Sequence, residues 1–159
     1  MKQITFMMLK PDAFTGDHAQ QICKELENHG LHIEKKAERN VDMEVMKTLL
    51  DHYQAVIDSM GKDFDFPGKL FNSFYYDGPH QIMPMMISYE GEEDIITYSR
   101  ALIGKTNPKE AGKDTIRGKF SQDDYDKATK DWRLVNNVIH ASDSKESAER
   151  ELVIWKPYF

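Results

Sequence analysis

The sequence predicts an α/β sandwich in which helices cover a small sheet. Apolar runs of strand length alternate with segments whose apolar residues recur at helical spacing, and interleaved elements of this kind pack as layers. A chain of 159 residues is long enough to bury one core. No repeat, low-complexity stretch or linker divides it, so residues 1–159 read as a single domain. Hydrophobic residues make up 40% and charged residues 30%, an ordinary globular mix.

The first strand is "QITFMML", 3–9, apolar with β-branched and aromatic members and cut off by Lys10-Pro11-Asp12. Residues 16–30 place Ala19, Ile22, Cys23 and Leu26 on one helical face, with Asp17 as cap and Gly30 as stop. Alternation at the start of 31–41 marks a second strand. Asp42 is placed to cap the next helix, whose apolar face is Val45, Met46, Leu49, Leu50 and Tyr53. Residues 58–80 read as loop, crowded with Phe64, Phe66, Phe71, Phe74, Tyr75 and Tyr76. Residues 81–91 read as a third strand, which Pro84 places near an edge. A helix over 92–104 starts on acidic residues and ends on Gly104.

Residues 105–120 show neither period and read as a long polar loop, a kind that is often functional. A short surface helix over 121–133 follows, then a fourth strand at 134–140. The last helix covers 142–155, with Asp143 and Glu146 as a capping pair and Ala148, Leu152 and Trp155 on one face. A ferredoxin-like βαββαβ order suits this series, and a parallel, doubly wound sheet fits the same pattern.

The formal net charge of −6 argues against general nucleic-acid binding. Cys23 is the only cysteine, which excludes an internal disulfide and a multi-cysteine zinc site and suits a reducing compartment. The apolar run at the start ends at Lys10, too soon for a signal-peptide core, and no stretch is long enough to span a membrane. The expectation is a cytoplasmic, soluble protein with no membrane partner.

Glycine-rich phosphate loops, H-E-x-x-H and the nucleophile elbow are absent, so any chemistry must be assembled from several elements. Taken singly, the candidates have ordinary structural roles. Lys10 ends a strand, Tyr53 sits at a core rim, and Arg100 complements a helix dipole. Thr106 and Arg117 lie in the polar loop, and His140 ends a strand. Taken together they have a chemistry. One lysine and two arginines could surround a polyanion, and threonine could add a hydroxyl donor. Neutral imidazole attacks phosphorus once a carboxylate such as Glu151, on the following helix, holds its tautomer. Asn137 stands just before the histidine. Phosphoryl transfer asks little more of a protein than positioning and positive charge.

These residues resemble nucleoside diphosphate kinases, in order and over nearly the whole chain. The segments are "TFMMLKPDA" (5–13), "HY" (52–53), "GP" (78–79), "SRALIGKTNP" (99–108), "TIRGKF" (115–120) and "NVIHASDSKESAERE" (137–151). The resemblance implies a ferredoxin-like fold with a small antiparallel sheet, helices covering it and a long nucleotide-site loop. It implies ping-pong transfer of a terminal phosphoryl group from a nucleoside triphosphate to a diphosphate through a phosphohistidine. His140, Glu151 and Lys10 would form the catalytic set, with Nδ1 of His140 as nucleophile and Ser142 bonding to Glu151. Lys10, Tyr53, Arg100, Thr106 and Arg117 would bind phosphate, and Lys10 and Asn137 would reach the sugar hydroxyls. Mg²⁺ would arrive on the nucleotide, with no protein metal site, and the chain would assemble as a homo-oligomer, a hexamer or tetramer.

Ala141 stands where the family has glycine, which would displace the histidine if that glycine serves a special backbone angle. Lys113 and Asp114 replace a Pro-Gly pair, and Lys119 replaces an aspartate. Residues 121–135 lengthen the link from Arg117 to His140, beside the expected nucleotide site. An ungapped match puts Pro67, with Phe66 adjacent, at the family's base-stacking position. Two rival readings remain. One is a regulatory module that binds nucleotide without catalysis, which has little need for His140, Asn137 and Glu151 together. The other is a metal protein built on the six histidines, whose only close pair is His29 and His32.

Overall fold

A computed structural model describes residues 1–76 and 80–159, so the Gly78-Pro79 pair lies outside the described residues. Strand β1 (Gln3–Leu9) sits in the middle of the sheet, antiparallel to β4 (Gln81–Tyr89) on one side and to β5 (Ile139–Ala141) on the other. Strand β2 (His32–Lys36) adds to the far side of β4, giving the order β2-β4-β1-β5, and a two-residue β3 (Arg39–Asn40) also pairs with β4. These ladders are all antiparallel, which removes the doubly wound alternative.

Because β1 is buried on both faces, its apolar run is continuous rather than alternating, and alternate residues serve two cores. Met7 and Leu9 face helices α1 (His18–Asn28) and α5 (Ile95–Ile103), packing with Ile22, Leu26, Ile87 and Ile103. Phe6 and Met8 face α2 (Met43–His52), α4 (Phe66–Phe74) and α8 (Lys145–Trp155), packing with Val45, Leu49, Leu70, Phe74 and Trp155. Helices α1 and α5 join β1 to β2 and β4 to β5, which is the βαββαβ core.

Several boundaries differ from the sequence reading. The segment read as loop over 58–80 contains the end of α3 (Gln54–Ser59) and all of α4, whose start is capped by Asp65 accepting from the Gly68 N–H at 3.2 Å. Dense Gly, Pro and Asp signals hid that short helix. Strand β4 is central, not an edge. The Ala37 N–H donates to the Pro84 carbonyl at 3.1 Å, and N and O of one strand residue face the same side. The missing N–H of Pro84 therefore points into the break between β2 and β3, where no ladder bond is lost.

Strand β5 covers only Ile139 and His140 of the stretch 134–140 and runs on to Ala141. The long loop carries a five-residue helix α6 (Ile116–Phe120), and α7 (Tyr125–Lys130) follows. Asp42 and Asp94 cap α2 and α5 at 2.9 and 3.0 Å, but Asp17 makes no such bond. The cap of α8 is Ser144, accepting from the Ser147 N–H at 3.0 Å, rather than Asp143 with Glu146.

Candidate active site

His140 lies opposite Met8 in the β1–β5 ladder. Its neighbours Ile139 and Ala141 enter the α1/α5 core, so pleating sends His140 to the other face, toward α2 and α8. There its ring centroid lies 6.0 Å from Phe6, 4.5 Å from His52 and 5.9 Å from Tyr53. Nε2 stands 2.9 Å from Oε1 of Glu151 on α8. The hydroxyl of Ser142 donates to that same oxygen at 2.7 Å, and an Arg150 N–H reaches Oε2 at 3.5 Å. A carboxylate bonded this way accepts, so Nε2 carries the proton and Nδ1 keeps its lone pair. Nδ1 makes no hydrogen bond among the described residues, and the imidazole lines a cavity of about 570 Å³.

The backbone ahead of His140 is held in an uncommon shape. Val138 has φ of 61°, rare for a β-branched residue, and the Ile139 N–H donates to the Asn137 carbonyl at 2.7 Å. That is a γ-turn of the strained, positive-φ kind. The Lys-Pro-Asp turn clamps it from both sides. The Val138 N–H donates to Asp12 Oδ2 at 3.0 Å, and the Lys10 N–H donates to the Val138 carbonyl at 2.8 Å. Ala141 sits in extended strand opposite Met7 and is not among the residues with positive φ, so alanine there leaves the histidine in place.

Lys10, Tyr53, Arg100, Thr106, Arg117 and Asn137 all line the cavity that His140 faces. Lys10 is buried, and its ammonium donates to Asn137 Oδ1 at 2.8 Å and to the Val135 carbonyl at 2.9 Å. Burial lowers its pKa to about 8, only partly opposed by Asp12. Asn137 in turn donates to the Thr106 carbonyl at 2.9 Å. Arg117 is also buried, and its guanidinium donates to the carbonyls of Asn137, Gly104 and Ile139 at 3.3, 3.1 and 2.6 Å. Burial first, then neighbouring Arg100, brings its pKa down to about 10. Burial also raises the Tyr53 phenol, so it stays a neutral donor. Gly104 closes α5 with φ of 98°, where a Cβ would stand 2.5 Å from Thr115 Oγ1. Glycine at that position lets α6 and Arg117 approach.

Sequence reasoning passed over His52. It is buried at the end of α2, and the indole N–H of Trp155 donates to its Nδ1 at 3.0 Å. Nδ1 as acceptor puts the proton of the neutral ring on Nε2, which is buried without a partner. Burial, then the charges of His140 and Arg150, holds its pKa well below the usual histidine range. Ligand atoms of His52, His140 and Glu151 lie within 4.8 Å of one another, a spacing that could gather a metal. The donor set does not fit magnesium, which takes oxygen, and the proton on His52 blocks its nitrogen. His29 and His32, the close pair in sequence, instead bond to Glu25 and Glu27 on the surface.

The profile of the family described as Nucleoside diphosphate kinase matches residues 3–158. The chain belongs to that family. It is 34% identical over 152 residues to the nucleoside diphosphate kinase of Streptococcus pneumoniae, covering 95% of this chain and 97% of that protein. The corresponding protein of Streptococcus agalactiae is 32% identical over 151 residues, covering 95% and 96%. A Borrelia burgdorferi nucleoside diphosphate kinase, solved as a transition-state mimic with vanadate and ADP, superposes with a TM-score of 0.82 at 24% identity, over 97% of this chain and 86% of that one. An enzyme from Pyrobaculum aerophilum gives 0.72 at 25% identity, over 98% and 96%. The Borrelia match shows the fold, and the streptococcal matches and family profile show the kinship. This nucleoside diphosphate kinase family member is a phosphotransferase working through a phosphohistidine.

Proposed function

We propose that His140 carries the phosphoryl group, on Nδ1, between a nucleoside triphosphate and a nucleoside diphosphate. The observation that supports this most is the Nε2–Glu151 bond, which leaves the Nδ1 lone pair free on a ring that lines the cavity. In the first half-reaction Nδ1 attacks the terminal phosphorus, the bridging P–O bond breaks, and the nucleoside diphosphate leaves with those electrons. Positive charge growing on the ring meets Glu151, which Ser142 and Arg150 hold in place. In the second half-reaction a terminal oxygen of the incoming diphosphate attacks the phosphohistidine, and Nδ1 takes back its lone pair.

Lys10, Arg100 and Arg117 offset phosphate charge, and Tyr53 and Thr106 donate to phosphate oxygens. Lys10 and Asn137 serve the sugar hydroxyls once their mutual bond opens. Mg²⁺ comes with the nucleotide and neutralises its phosphates. Among the described residues no helix is long and apolar enough to cross a membrane, and the lone Cys23 fits a cytoplasmic setting. Exposed Ile4, Met43 and Val153 and kinship with the family support assembly as a homo-oligomer, a tetramer or hexamer.

The test is labelling with γ-³²P-ATP alone. Acid-labile, alkali-stable label should appear on the protein and vanish in His140→Ala, while His52→Gln keeps it. Label surviving in His140→Ala would move the nucleophile elsewhere. Nucleotide binding without any label would favour the regulatory reading.

A further inference from the structure

Two acceptors hold the Lys10 ammonium, the Val135 carbonyl at 2.9 Å and Asn137 Oδ1 at 2.8 Å, and both come from the stretch just ahead of His140. That stretch has the composition of a strand but lies outside the ladder, since β5 begins at Ile139. Its backbone groups find partners elsewhere. The Asn136 N–H donates to Asp123 Oδ2 at 2.7 Å, and the Asn136 carbonyl accepts from the Ser121 hydroxyl.

One peptide plane connects Asp123 to Lys10. The Val135 carbonyl and the Asn136 N–H belong to the same trans peptide group, so they point in opposite directions. With the N–H anchored on Asp123, the carbonyl is aimed at the ammonium. Asp123 is itself buried, and two terminal nitrogens of Arg133 grip it at 2.6 and 3.1 Å. Burial would raise its carboxyl, but Arg133 and the Asn136 N–H outweigh burial and hold it below the usual range, so it carries its charge. A charged acceptor polarises the peptide it binds, which strengthens the carbonyl at the far end. His140 needs none of these contacts, since β1 and α8 hold it.

We propose that Asp123 is a positioning residue for Lys10, acting through the peptide between Val135 and Asn136 to hold the ammonium at the cavity wall. The inference rests on the reading of Lys10 as a phosphate-binding cation. Burial weighs most on Lys10, and four charges face it: Asp12 in its own turn, Arg117 on α6, and Asp123 and Arg133 on either side of α7. Tyr53 at the end of α2, Arg100 on α5 and His140 on β5 share the cavity with it. The two carboxylates favour the ammonium and the two guanidiniums oppose it. Neutralising Asp123 and neutralising Arg133 therefore push Lys10 in opposite directions, which a simple loss of packing would not do.

The test follows the Lys10 ammonium directly, by NMR titration of ¹³Cε-labelled lysine, with the signal assigned by its loss in Lys10→Met. The midpoint, about 8 in the wild-type chain, should fall in Asp123→Asn and rise in Arg133→Gln, each by about half a pH unit. Midpoints that stay in place, or move the same way, would overturn the assignment. In the reaction, Asp123→Ala should slow labelling from γ-³²P-ATP about tenfold at pH 7, but no more than about twofold where Lys10→Met is already present. Penalties of equal size in both backgrounds would also overturn it, since Asp123 would then act apart from Lys10. Labelling at the wild-type rate in Lys10→Met would remove Lys10 from phosphate binding, and the titration would still decide for or against Asp123.

Discussion

The indole of Trp155 fixes the proton of His52. Its N–H meets Nδ1 at 3.0 Å with both side chains buried, which leaves His52 a neutral ring with Nε2–H beside the Glu151–His140 pair. Trp155→Phe keeps most of the apolar bulk and removes that donor. A buried nitrogen left without its partner costs about 1–3 kcal/mol. Denaturant unfolding should show that loss, and the melting temperature should fall by roughly 2–4 °C per kcal/mol.

His52 also sets an acid limit on stability. Its folded pKa lies below 6.5, so as pH drops through about 6.5 the unfolded chain gains a proton that the folded chain refuses. Stability from this residue is complete above that pH and declines below it, by up to about 1.4 kcal/mol per pH unit. His52→Gln should flatten the dependence of unfolding free energy on pH between about 7 and 5. An unchanged slope would place the acid sensitivity elsewhere.

Glu151→Gln should leave His140 in the cavity but weaken the charge-assisted bond to Nε2. Losing about 1.5–3 kcal/mol there slows phosphohistidine formation roughly ten- to hundredfold. Rapid-quench measurement of the first half-reaction would show a lower rate with nucleotide affinity nearly unchanged. A change confined to affinity would assign Glu151 to binding instead.

Lys10 gives the alkaline limit. With a pKa of about 8 in the unliganded protein, its ammonium is charged below that pH and lost above it. kcat/KM should therefore fall as pH rises through 8, and Lys10→Met should be slower at pH 7 and lack that limb. The stability effect has the opposite sign. Between about 8 and 10.5 the unfolded chain holds a proton that folded Lys10 has lost, so this group adds stability as pH rises.

What the sequence disclosed depended on how local the cause was. Strand β1 was legible because a doubly buried strand is one apolar run, and Asp42 because its cap bond spans three residues. The proposed phosphate-binding set was visible only as an ordered resemblance, since Lys10, Arg100 and Arg117 come from separate elements that meet at one cavity. Pro84 misled because its tolerance comes from a break between two other strands. Asp17 looked as suitable a cap as Asp42, yet its side chain accepts nothing from the first turn. His52 could not be singled out because its meaning depends on a tryptophan in another helix. Residues 134–138 carry strand composition but spend their backbone on Lys10, Asp12 and a γ-turn.

That turn at Val138 has a consequence for how such a chain can vary. Its carbonyl and N–H are tied to Lys10 and Asp12, so the path to His140 is measured afresh from the end of β1. Everything upstream, from Arg117 onward, can lengthen or change course without transmitting the difference to the imidazole. A strained residue thus acts as an expansion joint. It lets the segment beside the cavity be rewritten while His140 stays where the sheet puts it.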